Sequence, residues 1–231
     1  MIKLTIIILG ICLFLSVSTG GVLAWTLAGL FKDKIGGCSL LCGGFLIGLL
    51  TLDIIPSAWS AYYPFGLLLG GLLGFFFILV LHSMCNHSHT SSLYLLAVAM
   101  FIHTIPLSVT IGSLLDDPAL SLTMTTSTIL HHLPEGFALA TVALSTGNKW
   151  GSLTLCFIGL SICFASFIWI GQQAPLSFKI QSILMGVSIS LIGCTSMKEF
   201  IGQYIRTVPL PAFLTYFGVG YLFSGLFHLW L

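Results

Sequence analysis

The fold is decided by stretches such as residues 119–146, ALSLTMTTSTILHHLPEGFALATVALST, which are long, apolar and almost free of charge. The ionisable side chains of this stretch are His131, His132 and Glu135, which lie close together near its centre. A hydrocarbon layer about 30 Å thick needs roughly 20 apolar residues in a helix, so the stretch is long enough to cross a membrane. Imidazole and carboxylate groups are costly at that depth and usually face a cavity, a partner or an ion path. The centre of this stretch is therefore the first place to look for function.

The whole chain has the composition of a polytopic membrane protein. Of its 231 residues, 57% are hydrophobic and 6% are charged, a balance that argues against a soluble domain with a large core. The expected fold class is an all-α integral membrane protein, and residues 1–231 are expected to form a single transmembrane domain. Glycines, prolines and the few charges divide the chain into eight predicted spanning helices. These lie near 4–31, 38–60, 64–83, 92–115, 119–146, 151–171, 180–202 and 209–230.

The first segment allows two interpretations. Met1-Ile2-Lys3, followed by an apolar run and the residues from Ser16 to Gly21, is typical of a cleaved signal peptide. The apolar character nevertheless continues to Phe31. We therefore favour a first helix that is retained in the protein.

The basic residues between the predicted helices indicate an orientation. By the positive-inside bias, the more basic face is cytoplasmic. Both termini are then extracytoplasmic, and the plasma membrane is the expected location. The more basic face collects Lys32, Lys34, Lys149, Lys198 and Arg206, whereas the other has Lys3 and Lys179.

Composition also argues against two other classes of protein. The seven cysteines form no CxxC pair, and most lie within apolar stretches, so they are expected to be small buried hydrophobes rather than a disulfide framework. The formal net charge of +1 gives no reason to expect nucleic acid as a partner. Membrane lipid and, as one option, a second copy in a homodimer are the partners that we expect.

A short polar motif recurs in neighbouring predicted helices. Residues 102–108, IHTIPLS, align with residues 130–136, LHHLPEG, in apolar, His, Pro and small positions, and residues 53–56, DIIP, form a weaker third copy. Each copy places an ionisable residue three positions before a proline. At a rise of about 1.5 Å per residue, all three ionisable residues fall in one layer near the middle of their helices. Consecutive helices run antiparallel, so the motif indicates local inverted symmetry of the kind found around transporter sites.

The motif in the fifth predicted helix has the residue types and spacing of a metal site. His131 and Glu135 are four residues apart and His132 and Glu135 are three apart, so both imidazoles neighbour the carboxylate on the helix surface. Pro134 removes a backbone donor and strains the turn behind it, which opens space beside the imidazoles. Imidazole ligands favour a borderline divalent metal such as Zn, Fe, Cu or Ni. A fourth ligand is expected from His103, Asp53 or water.

These residues resemble the ZIP family of divalent metal transporters, whose members have eight helices and a His-x-x-Pro-Glu-Gly type motif. The resemblance spans most of the chain, although its specific motifs are confined to the second, fourth, fifth and seventh predicted helices. It implies Zn²⁺ or a similar divalent ion as the substrate, with no prosthetic group. It also implies metal-binding positions at His103 and Thr104 in the fourth helix and at His131, His132 and Glu135 in the fifth.

This chain departs from the family pattern in the fourth helix. Leu107 stands where the family usually has a metal-bridging Glu, and Thr104 stands where Asn is usual. A two-metal centre is therefore not expected. We predict a single site whose ligands are His103, His131 and Glu135, with Asp53 and His132 as accessory or relay groups.

The resemblance extends to three further places. In the second helix, Asp53 stands where His is common and Ser57 where an acid often follows the proline, and Glu199 is a loose match to an acidic position in the seventh helix. Residues 82–89, HSMCNHSH, are interpreted as a cytoplasmic loop like the family's His-rich loop. Structural alternatives remain open: Asp53 as the partner of a His across helices, His132 as a residue that orients a ligand, Glu199 as an interfacial pair with Lys198, and the loop as a polar connector.

The function that we expect is transport of a divalent metal ion, with Zn²⁺ first, across the membrane toward the cytoplasm, and no enzymatic activity. Uptake should weaken as the pH falls through the titration range of histidine, because protons compete for the ligands. One alternative is an intramembrane metalloenzyme, but the chain has no His-Glu-x-x-His, and Pro134 interrupts a regular two-His face. The other alternative is a metal-binding sensor on the same scaffold, which Leu107 and Thr104 favour.

Overall fold

In the computed structural model the described residues are 2–30, 35–85, 92–116, 118–145, 150–174, 176–202, 204–205 and 208–228, and their regular structure is entirely helical. The predicted all-α class is confirmed. The described residues form eight continuous helical segments, which follow the order of the predicted helices. They are α1 (Ile2–Leu30), α2 (Ile35–Leu49, a π-helical segment Leu50–Ile54, then Ile55–Ala61), α3 (Pro64–Cys85), α4 (Ser92–Ser113), α5 (Pro118–Ser145), α6 (Trp150–Gln173), α7 (Phe178–Thr195, continuing as a π-helical segment Ser196–Gly202) and α8 (Leu210–His228).

Four segments among the described residues are long and apolar enough to cross a membrane. They are Leu4–Ala28, Gly36–Ala61, Trp150–Gln173 and Phe178–Gly202, with shorter apolar segments in α3, α4 and α8. Helix α5 is not among them, because hydroxyl groups, two histidines and a glutamate lower its hydropathy. Most of its residues from 131 to 140 are buried, so neighbouring helices cover these polar groups.

Four helix pairs have the most extensive contacts: α1 with α5, α4 with α6, α2 with α8, and α3 with α7. At each crossing, both helices place a glycine against the backbone of the partner helix. A Cβ atom on either glycine would collide with a backbone carbonyl oxygen of the partner helix. Small residues permit this close approach of helices in membranes. The reciprocal pairs are Gly20 with Gly136, Gly112 with Gly171, Gly44 with Gly220, and Gly70 with Gly186.

The contacts divide the helices into two groups. Group A contains α1, α4, α5 and α6, and group B contains α2, α3, α7 and α8; the two groups meet mainly where α4 packs on α7 and α2 packs on α5. This set of helix pairings has an internal symmetry. It stays the same when α1 is exchanged with α6, α2 with α7, α3 with α8 and α4 with α5. The internal regularity that the motifs indicate for the fourth and fifth helices thus extends to the pairing of all eight segments.

Two local features of the helices bear on the predicted motifs. Pro106 and Pro134 lie inside α4 and α5, which continue through them. In α2 the π-helical segment contains Asp53 and ends two residues before Pro56. Proline has no N–H to donate to the preceding turn, and the wider π turn accommodates this loss. Such turns occur frequently at functional sites.

The predicted loop at residues 82–89 differs in part from the structure. Helix α3 continues to Cys85, so the first half of this stretch is helical rather than loop. The extra turn fits the apolar sequence that leads into it. His87 and His89 lie outside the described residues, as does the side chain of Glu199 within the π-helical segment of α7.

Candidate metal centre

Two neighbouring helices bring four ionisable side chains together in the interior. His103 comes from α4, and His131, His132 and Glu135 come from α5. One potential ligand atom from each lies within 4.8 Å of the others. Their exposed fractions are 1%, 1%, 0% and 5% respectively. The predicted grouping of the histidines around Glu135 is therefore present in the folded chain.

The distances within this cluster match the spacing of ligands around a metal. Glu135 Oε1 lies 3.0 Å from His103 Nε2 and 3.9 Å from His131 Nε2, and Glu135 Oε2 lies 3.6 Å from His132 Nε2. In a tetrahedral zinc site with bonds of about 2.0–2.2 Å, neighbouring ligand atoms are about 3.4 Å apart. The observed separations bracket that value. Small adjustments of the side chains would close them around one ion.

The backbone of α5 orients both of its imidazoles. His131 Nδ1 lies 3.3 Å from the carbonyl oxygen of Ser127, and His132 Nδ1 lies 2.7 Å from that of Thr128. A carbonyl can only accept, so in this geometry each Nδ1 carries the proton and each Nε2 presents a lone pair. Within the described residues, His131 Nε2 and Glu135 Oε2 have no hydrogen-bond partner. Such ring orientation by a second hydrogen bond is usual for metal-binding histidines.

Thr104 contributes an oxygen beside this cluster. Its Oγ1 donates to the carbonyl oxygen of Met100 at 2.7 Å and lies 3.2 Å from His132 Nε2. This contact is within hydrogen-bond distance, and the tautomer of His132 decides which of the two atoms donates. Thr104 is therefore in direct contact with the cluster.

Asp53 lies apart from the four clustered residues. It is buried on α2, with 7% of its surface exposed, and it accepts a hydrogen bond from Ser127 Oγ at 2.9 Å. This hydrogen bond joins Asp53 to the residue whose carbonyl oxygen lies 3.3 Å from His131 Nδ1. Of the six predicted site residues, five lie in or beside the cluster and Asp53 is linked to it through α5.

A small cavity lies between Asp53 and His131. Its volume is about 30 Å³, enough for one or two water molecules. Leu107 also lines it, so α4 presents an apolar side chain where the resemblance would place a carboxylate. The polar residues of its lining are Asp53, Ser57, Ser127, Thr128, His131 and Ser188.

The structure adds residues that the sequence interpretation did not include. Ser127 and Thr128 hold the two imidazoles of α5, and Ser188 of α7 donates to the carbonyl oxygen of His103 at 3.4 Å. The spacing of four residues from Ser127 to His131 and from Thr128 to His132 is a signal that could have found the first two. Ser188 has no such signal, because its contact depends on the packing of α7 against α4.

The donor set has a defined chemistry. Three imidazoles and one carboxylate offer nitrogen and oxygen ligands in a buried interior, which suits Zn²⁺ and its neighbours better than Mg²⁺ or Ca²⁺. The buried His/Glu cluster can thus bind a metal ion, and the apolar helices around it are those of a membrane protein. Comparison of the chain with protein-family models and with curated proteins finds no match.

Proposed function

We propose that this chain carries a divalent metal ion, with Zn²⁺ as the first candidate, across a membrane toward the cytoplasm in the manner of the ZIP family. The observation that carries the proposal is the buried cluster of His103, His131, His132 and Glu135 inside a bundle of apolar helices. In this proposal all eight helical segments span the membrane, and the metal ion is the substrate rather than a resident cofactor.

The free-energy cost of burying the cluster supports a functional role for it. Placing a carboxylate and three imidazoles in an apolar interior is unfavourable unless they are paired or bind an ion. Two acceptor atoms of the cluster, on His131 and Glu135, have no hydrogen-bond partner among the described residues. A structural network would satisfy such atoms with donors, whereas a cation satisfies them directly.

The proposal is tested by Zn²⁺ flux into proteoliposomes that contain the wild-type chain or the variant Glu135→Gln. This substitution keeps the shape of the side chain and removes its charge. We expect flux in the wild type and its loss in the variant. The matched control is Asp116→Asn, which removes one charge from an exposed side chain and should keep wild-type flux. A folded wild type that binds Zn²⁺ without flux would overturn transport and favour the sensor alternative.

A further inference from the structure

Helix α2 carries two cysteines that the proposed function does not use. Cys38 and Cys42 lie four residues apart in its first half, and both are free and partly buried. They are the one pair at this spacing among the seven cysteines of the sequence. Residues four apart are neighbours on the surface of a helix, so the two thiols lie side by side.

Two sides of α2 are covered by other helices of group B. A Cβ atom on Gly37 would collide with a side chain of α8, and one on Gly43 would collide with a side chain in the π-helical end of α7. Successive residues of a helix turn by about 100° around its axis. Cys38 and Cys42 therefore point away from both α8 and α7.

The thiols lie on a third side of α2, which faces group A. Leu46 and Leu49 continue the line of the two cysteines at spacings of four and three, and each is 1% exposed. Farther along, Asp53 accepts a hydrogen bond from Ser127 of α5. Both cysteines also pack against the buried core. The pair is thus held at the junction of the two helix groups.

The thiol pair is separate from the His/Glu cluster. Neither thiol is among the four described residues whose ligand atoms lie within 4.8 Å of one another. Cys42 precedes Asp53 by about 16 Å of helix, whereas Glu135 follows Ser127 by about 12 Å on the antiparallel α5. The thiols therefore lie roughly one helical turn beyond the level of Glu135, and they offer sulfur where the cluster offers nitrogen and oxygen.

We propose that Cys38 and Cys42 form a second metal site, which binds a soft divalent cation such as Cd²⁺ as a dithiolate. The proposal does not depend on transport by the chain. Thiolate sulfur selects soft ions. Two sulfurs bound to one ion at about 2.3 Å each are at most about 4.6 Å apart, which side chains with Cβ atoms about 5–6 Å apart can reach.

The charge balance of the complex suits an apolar surrounding. Each thiol loses its proton to water, and two sulfur–metal bonds form in place of the two S–H bonds, so one divalent ion releases two protons. The two thiolate charges cancel the charge of the ion. A neutral complex avoids the cost of burying a net charge among apolar helices, which a monovalent or trivalent ion on the same ligands would incur.

The test is titration of the full chain in detergent with Cd²⁺, followed by the ultraviolet sulfur-to-cadmium charge-transfer band. We expect the wild type and Glu135→Gln to give the same band, because the cluster has no sulfur ligand. Cys38→Ser and Cys42→Ser should each lose the band or need at least about 100-fold more Cd²⁺ to reach it, since one thiolate charge is missing. The matched control is Cys156→Ser, which removes a free, partly buried thiol of α6 and should keep the band.

A second measurement uses the unaltered chain and so does not depend on the folding of a variant. Bound Cd²⁺ should slow alkylation of Cys38 and Cys42 by a maleimide at least about tenfold, whereas alkylation of Cys156 should not change. In weak buffer the same titration should release about two protons per Cd²⁺.

Three results would overturn the proposal. One is the absence of a charge-transfer band in the wild type. Another is a band that survives both Cys38→Ser and Cys42→Ser. The third is equal alkylation of the two cysteines with and without Cd²⁺. Failure of the proposed transport appears differently, as absence of Zn²⁺ flux in a wild type that still gives the cadmium band.

Discussion

Removal of the Glu135 charge is the change that the geometry of the cluster predicts most sharply. Its two oxygens lie 3.0, 3.9 and 3.6 Å from the Nε2 atoms of His103, His131 and His132, so the carboxylate is the shared partner of all three imidazoles. Glu135→Gln keeps one oxygen for the metal but deletes the one negative charge of the cluster. Removing one member of a buried charge pair costs at least about 3 kcal/mol, which corresponds to roughly 100-fold in the dissociation constant.

The assay is titration of the purified protein with Co²⁺, whose visible absorption is strong when the ion is tetrahedral, followed by displacement with Zn²⁺. We expect the wild type to give a tetrahedral spectrum and Glu135→Gln to bind at least about 100-fold more weakly. Asp116→Asn should match the wild type, since Asp116 is exposed. A variant affinity within about threefold of the wild type would refute the assignment of Glu135 as a ligand, because a lost charge at these distances cannot cost so little.

Four further outcomes follow from the same structure. Gly44→Ala should destabilise the fold by about 1–3 kcal/mol, because its Cβ would meet the backbone of α8; Gly218→Ala on α8, where a Cβ meets nothing within 4 Å, should leave the melting temperature in detergent unchanged. Thr104→Val should weaken Co²⁺ binding by about tenfold, the value of one lost ligand or hydrogen bond, whereas Thr104→Ser should not. Competition assays should show Zn²⁺ displacing Co²⁺ while Mg²⁺ and Ca²⁺ do not, because imidazole ligands disfavour the hard cations. Co²⁺ affinity should fall as the pH is lowered, since a protonated imidazole cannot bind a metal.

The cluster could be predicted from the sequence because its geometry is mostly local. His131, His132 and Glu135 lie on one helix at spacings of three and four, and that spacing alone fixes them as neighbours. The repeated motif predicts His103, because it places His103 at the same depth as His131. Both inferences depend on helix geometry and not on how distant helices pack.

The position of Asp53 could not be predicted in the same way. Depth placed it in the layer of the histidines, but its direction depends on the π-helical segment Leu50–Ile54 and on the packing of α2 against α5. One extra residue in a turn rotates every side chain that follows it. Apart from Pro56, nothing in the sequence indicates this rotation. In the structure Asp53 accepts a hydrogen bond from Ser127 Oγ.

The pairing of the helices also could not be predicted from the sequence. Many glycines in apolar stretches predict close packing somewhere, yet which glycine faces which is settled by contacts between segments far apart in the chain. For example, Gly44 lies against the backbone of α8, and Gly220 lies against the backbone of α2. The order and approximate ends of the helices follow from composition, whereas the partner of each helix depends on how the helix surfaces fit together.

The distribution of ligands between the two helix groups bears on whether the ion is cargo or a structural support. All four cluster residues belong to α4 and α5 of group A, which already pack on each other and on α1 and α6. A structural ion stabilises a fold most when its ligands come from parts that would otherwise separate. None of these four ligands comes from group B, whose Asp53 accepts a hydrogen bond from Ser127 of α5. An ion held wholly by one group can be bound and released without loss of the contacts between the groups, which is what a transported ion requires.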